Sequence, residues 1–326
     1  MAWMPVLPEA APSAPAASGA PLLMPLAHLA LLQAGGADAT AFLHGQLSND
    51  VQGLAPGESL LAGYCNAKGR LFAVPRLWRV GDDWQLCLPA DTADGVLKRL
   101  RMFVLRSKVT LTRRDDFTLL GVAGDGAAQC LRHAGLPVPG EVDAVSAHRD
   151  VAVLRLPGTS IRFQICAPDA AAPTLWAALA ECARPVSGSV FRLLDIDAGL
   201  PTIHAPTLEA FVPQMVNLDR VGGVSFRKGC YPGQEIVARM HYLGKPSRRM
   251  YRLRTAGGSP EPGTPVLDPA GREIGNVVDA QVADRSGCCL LAALQVTASE
   301  GALHLPDGRP LERLSLPYAL DEPSAP

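Results

Sequence analysis

Aromatic residues are scarce, at 5% of the chain, so aliphatic and alanine packing must fill the core, and extended base stacking on RNA is disfavoured. Positive charge is missing from the start of the sequence. No lysine or arginine precedes Lys68, which removes the basic n-region that an export signal needs. No apolar run reaches the length of a membrane span. A net charge of −1 provides no global basic field to hold nucleic acid. H-E-x-x-H, G-x-S-x-G and Walker patterns are all absent, and so is C-x-x-C. The eight cysteines face no histidine pair at zinc-finger spacing. Their scatter through strand-like and helical stretches predicts reduced core thiols, and hence a cytoplasmic protein.

What is present is an ordinary globular balance, 48% hydrophobic and 19% charged, over 326 residues. That length suggests two or three domains. Residues 1–20 are Ala/Pro-rich and predict a disordered tail. "ADATAFLHGQLSNDV" predicts a helix capped by Asp38. "SLLAGYCNAKGRLFAVPRLWRV" predicts two strands around a turn. "DTADGVLKRLRMFVLRS" predicts a helix with Asp91 as its N-cap and Val96, Leu97, Leu100, Phe103 and Val104 on its apolar side. The strands and helices mix without strict β-α-β alternation, which points to α+β.

The pattern restarts near Asp116, and from Arg249 onward Pro/Gly-punctuated short strands predict a small all-β barrel. The expected division is 21–115 with 186–245 as a first, discontinuous α+β domain, 116–185 as a second, and 246–326 as a C-terminal barrel-like domain.

One stretch concentrates special-purpose residues: "RKGCYPGQEIV", Arg227 to Val237. Pro232 suits a first helical position, which would put Cys230 at or just before a helix N-terminus. The positive end of that helix, with Lys228 nearby, would favour a thiolate. The plain alternative is a buried small hydrophobe. No second cysteine lies close by, so reaction with an external group is more natural than an internal disulfide switch.

Other motifs weigh less. "GVAGDGAA" begins like a dinucleotide loop but places Gln129 where a third glycine belongs. Asp195 and Asp197, two residues apart on a predicted helix from Ser189, do not share a face, so a paired acid/base mechanism is disfavoured. A single carboxylate in an apolar setting would suit an amidine-like edge such as that of a pterin. "NAKGR" reads as a solvated hairpin tip. Lys245, Arg248, Arg249, Arg252 and Arg254 form a basic cluster suited to a polyglutamate tail or RNA phosphates, or else a solvated face or an interdomain hinge.

Taken together, "KGCYPGQE", "FLHGQLSNDV", "DAGLPTI" and "FVPQMVNLD" resemble, in order and spacing, the YgfZ family of folate-binding proteins. The resemblance spans roughly Phe42 to Tyr251. It implies a fold like the T-protein aminomethyltransferase of glycine cleavage, with three domains around an opening for tetrahydrofolate or a derivative. It also implies a role in assembling or maintaining iron–sulfur clusters in enzymes such as radical tRNA methylthiolases. The partners implied are folate and iron–sulfur enzymes or cluster-assembly proteins, with no membrane and only indirect or weak nucleic-acid contact. By the same resemblance the functional thiol falls on Cys230, with Lys228 beside it, and the folate contacts on Asp197, Tyr231, Gln234 and Glu235; Arg248 of the basic cluster joins them as a further expected folate contact. Asp197 stands where glutamate is commoner in the family. T-proteins carry an acidic pair after the hairpin glycines, where this chain has "NAKGRLFAV". Conventional aminomethyl transfer is therefore disfavoured. Two alternatives remain: a folate-dependent aminomethyl- or methyltransferase or demethylase, and a tRNA-binding accessory factor.

Overall fold

The computed structural model describes residue 5, residues 19–244 and residues 246–320. The expected N-terminal tail lies almost wholly outside the described residues. Helices are α1 Ala39–Gln46, α2 Ala90–Arg101, α3 Ala127–His133, α4 Ala172–Ala180, α5 Ser189–Asp197 and α6 Gln234–Leu243. No described helix is long and apolar enough to cross a membrane. The chain is α+β and divides into two compact units.

The first unit comprises residues 1–39, 54–60 and 76–194. It holds a six-stranded sheet in the order Val145–His148, Val151–Leu156, Arg162–Pro168, Phe117–Ala123, Leu22–Pro25, Arg184–Pro185. Strand alternation sends successive side chains to opposite faces. Leu120 and Val122 thus join Val153, Phe163 and Ile165 beneath α3 and α4, in a cluster that includes Leu131 and Leu179. Leu119 and Ala123 face the other way, with Leu154, Cys166 and Phe191. That second cluster also takes in Leu31, Trp78 and Cys87 from a five-stranded sheet, Ser59–Leu61, Arg76–Val80, Asp83–Pro89, Leu29–Gly35 and Thr110–Arg113. Gly121 is small for a reason: a Cβ there would lie 2.6 Å from the Phe191 ring.

Asp38 Oδ2 accepts from the Lys108 backbone N–H at 2.7 Å, which ties down the loop after α2. Two expectations about α2 need correction. The N-cap of α2 is Pro89, with Asp91 inside the first turn. This helix stops at Arg101, so Val104 lies past its end and Phe103 is exposed. In addition, Cys130 on α3 and Cys182 just after α4 form a disulfide. Both helices lie on one face of the six-stranded sheet, bringing Cα atoms 52 residues apart in sequence to 5.7 Å, within bonding range. The expectation of eight reduced cysteines fails on this pair, and so does the compartment argument drawn from it.

The second unit comprises residues 40–53, 61–75 and 195–326. Its larger part is a closed barrel of Arg248–Ala256, Gly287–Gln295, Glu273–Asp284, Pro265–Leu267, Leu303–His304 and Pro310–Leu314, which closes where Arg252 pairs with Leu314. Tyr251, Leu253, Val266, Val277, Leu290 and Leu294 fill it. Cys288 and Cys289 are both buried here, in the expected strand.

Candidate functional site

Cys230 is the exposed thiol of this chain; the other free cysteines, Cys65, Cys87, Cys166, Cys288 and Cys289, are buried. Burial pushes the Cys65 thiol up to about 12 and Cys166 higher still, so neither serves as a thiolate near neutrality.

The loop holding Cys230 is built differently from the expectation. Helix α6 begins at Gln234 behind an N-cap at Gly233, so Pro232 is not its first residue and Cys230 lies outside the first turn. The dipole of α6 falls off within a turn and contributes little at that distance. Gly233 adopts φ 82°, and a Cβ there would lie 2.5 Å from Gly69 Cα. Gly69, itself at φ 70°, meets Ile236 of α6 in return. A glycine–glycine contact therefore seats the "NAKGR" turn against the start of α6. That turn is no free tip. Asn66 Oδ1 accepts from the Lys68 and Arg70 N–H groups at 2.8 and 3.0 Å, and Arg70 donates to the Ala210 carbonyl at 2.8 Å.

Lys228 points inward, not toward the thiol. Its Nζ donates to the His44 carbonyl and, at 2.8 Å, to the Leu47 carbonyl, which satisfies the end of α1. The ammonium also lies 4.8 Å from the centre of the Tyr231 ring. Burial pulls Lys228 down to about 8, against the charges of Asp50 and Cys230, which push it up. Tyr231 is buried, and burial raises its hydroxyl far above the ordinary range. Gln234 Nε2 donates to the Lys228 carbonyl at 3.5 Å, while Glu235 is exposed.

Two polar residues that sequence reasoning passed over brace this region. Ser48 Oγ donates to the Gly223 carbonyl and accepts from Gly63 N–H, both at 2.7 Å. Asn49 Nδ2 donates to the carbonyls of Leu61 and Gly222, each at 2.7 Å. The signal was there in the sequence: polar residues directly after a buried leucine at a helix end. In "FVPQMVNLD", Gln214 Nε2 donates to the Val237 carbonyl of α6 at 2.7 Å, and Asn217, at φ 57°, binds the Met250 backbone through both N–H and C=O. Asp219 takes Arg249 on both oxygens, at 2.6 and 3.0 Å.

The basic cluster does not present one cationic face. Arg249 is held by Asp219, Arg252 by Asp197 and Arg254 by Asp284. Arg248 is half-buried at the start of the first barrel strand. Lys245 lies outside the described residues. The setting of Asp197 is not apolar either. Its Oδ1 accepts from Arg252 Nη2 at 2.6 Å, which leaves Oδ2 for a further donor. One free carboxylate oxygen fits a single amino N–H of a pterin edge. A cavity of about 900 Å³ opens in the second unit among Arg220, His241, Arg249, Tyr251, Arg313 and Tyr318; neither Cys230 nor Asp197 lines it.

An α+β body with a closed six-stranded barrel is the fold of the aminomethyltransferase T proteins. The glycine cleavage system aminomethyltransferase T from Bartonella henselae matches with a TM-score of 0.78 over 95% of this chain and 89% of that one. At 21% identity this likeness is one of fold. No model of a protein family matches the chain. Sequence relatives narrow the class. The tRNA-modifying protein YgfZ of Cronobacter sakazakii is 32% identical over 95% of this chain and 98% of that protein. The protein of the same name from Colwellia psychrerythraea is 31% identical over 86% of each chain, and that of Shigella sonnei 35% over 74% of each. The chain belongs to the YgfZ family.

Proposed function

We propose that this protein binds tetrahydrofolate or a derivative and acts through Cys230 as an accessory factor in assembling or repairing iron–sulfur clusters of enzymes such as radical tRNA methylthiolases. The observation that carries the reading is the contrast among the thiols. Cys230 is exposed on a loop braced by Lys228 and Gly233, while the other free cysteines are buried. An exposed thiol on a firmly held loop suits reaction with a group on a client protein. The tRNA-modifying name of the relatives supports a client in that process. Direct tRNA binding finds less support, because Arg249, Arg252 and Arg254 are each engaged by a carboxylate.

Folate is supported by the fold class and by the free Oδ2 of Asp197. When bound, folate would supply one-carbon chemistry; this chain's part is to hold it, with Asp197 as a hydrogen-bond acceptor. Conventional aminomethyl transfer stays disfavoured, since the hairpin that would carry acids bears Lys68 and Arg70.

The test is complementation. Cells lacking their own copy of the family member should recover iron–sulfur enzyme activity with the wild-type chain. Cys230→Ser, a near-isosteric change at an exposed site, should fold with an unchanged melting curve yet fail to restore that activity. Full complementation by Cys230→Ser would sink the reading.

A further inference from the structure

The cavity of about 900 Å³ in the second unit has no part in the reading of Cys230 and Asp197, neither of which lines it. Its size lies within the range of sites that enclose a small organic molecule. Helix α6 brings Met240 and His241 to it from its last turn. Leu314, Leu316 and Leu320 reach it from the end of the strand Pro310–Leu314 and the segment that follows.

The arginines and carboxylates on its walls do not cancel. Arg220, Arg249 and Arg313 line it, against Asp219 and Glu300. Asp219 takes Arg249 on both oxygens, at 2.6 and 3.0 Å. Glu300 lies 3.3 Å from Arg313, whose guanidinium also sits 4.2 Å over the Tyr251 ring. Arg220 is left over. Its side chain is only 13% exposed, and its Nε is buried with no hydrogen-bond partner among the described residues. The nearest oxygen of Asp219 is 3.8 Å away, beyond hydrogen-bond range, and already accepts from Arg249. A guanidinium taken out of water keeps its charge and loses its acceptors, which is costly until an anion supplies them.

One uncompensated cation calls for one negative charge. The planar fork of a guanidinium suits the two oxygens of a carboxylate, and Arg249 with Asp219 forms that pairing in the same cavity. Elsewhere the wall is apolar, with Met240, Val296, Leu316 and Leu320. Covering that surface favours an apolar body behind the charge. Asp219 and Glu300 disfavour a second negative charge.

We propose that this cavity binds an organic monocarboxylate with an apolar body, acyl or aryl, and that Arg220 receives the carboxylate. Isothermal titration of the full chain tests it at about pH 7.5, where the acids are ionised. The probes are octanoate and indole-3-propionate, the amide of each, and glutamylglutamate, which has the carboxylates without the apolar body. At least one of the two acids should bind at a single site per chain, and the tighter one shows whether the body is acyl or aryl. That acid should bind about tenfold more tightly than its own amide, the size of one charge-assisted hydrogen bond. Arg220→Gln should remove the preference for acid over amide. Saturable binding of neither acid would overturn the proposal. So would equal binding of acid and amide, an intact preference in Arg220→Gln, or glutamylglutamate binding as tightly as the acids. Should Arg220→Gln fail to fold by circular dichroism, Val296→Trp takes its place, since it fills the cavity from a partly exposed position. It should weaken binding of the acid about tenfold or more, and unchanged binding would overturn the proposal. Neither result bears on the complementation test, because Cys230 lies outside the cavity.

Discussion

At the scale of single residues, what the sequence showed was chemistry, and what it hid was direction. Cys230 stood out because its stretch is dense in special-purpose residues, and its exposure removes the plain alternative of a buried filler. The part played by Lys228 was not legible, because sequence proximity says nothing about which way a side chain turns. Its Nζ caps the carbonyl end of α1 rather than facing solvent beside the thiol. Lys228→Met keeps the stem but strips the donors from the His44 and Leu47 carbonyls. An unmet buried acceptor costs about 1–3 kcal/mol, and of these two bonds the one to Leu47 is buried while the one to His44 is part-buried and open to water. The variant should therefore lose about 1–3 kcal/mol in urea unfolding, and its Cys230 loop should become faster to cut by a protease added to the native protein. A variant as stable and as resistant as wild type would mean that the capping bonds contribute nothing. Asp197 teaches the same lesson. Its carboxylate was legible, but its bond to Arg252, 55 residues on, was not.

Among the elements, periodicity and turn chemistry read well where local forces decide. Helix α5 from Ser189, the strand–turn–helix at "GVAGDGAA" and the short barrel strands follow from pattern alone. Caps were less legible: α2 takes Pro89 as its N-cap and holds Asp91 inside its first turn. The joining of α3 to the end of α4 was invisible, since 52 residues separate Cys130 from Cys182 and only the shared sheet face brings them together. That bond makes a plain count. Unfolded without reductant, the chain should show six reactive thiols, and after reduction eight. Eight thiols before reduction would mean that the pair is not bonded. Closing a loop of this length is worth about 2–4 kcal/mol, so Cys130→Ala with Cys182→Ala should lower the stability of the oxidised protein by about that much. Adding reductant to wild type should produce a comparable loss and leave the double variant unchanged.

Across the whole molecule, the α+β class and the C-terminal barrel were open to reading from texture, and the family from four short motifs in order. Those motifs are legible because they are dense in residues with one use each: Gly233 at φ 82° and Gly199 at φ 64°, a buried Asn–backbone bracket at Asn217, a bidentate pair at Asp219. The ligand is harder to read, because recognition depends on which lone pairs stay free after folding. At Asp197 one oxygen is taken by Arg252 and one remains. If that oxygen receives the amino edge of a pterin, tetrahydrofolate binds the native state alone and should raise the melting temperature with concentration. Asp197→Asn puts an amide in place of the carboxylate, so the charge-assisted bond is lost while the side-chain shape is kept. The variant may not be judged on its own melting point, because Arg252 loses its partner in the same change. The ligand-induced shift is the readout, taken for each protein against its own ligand-free curve. It should fall to less than half in Asp197→Asn at equal tetrahydrofolate concentration. An undiminished shift would place the pterin on other residues, and the absence of any shift in wild type would remove folate from the account of this protein.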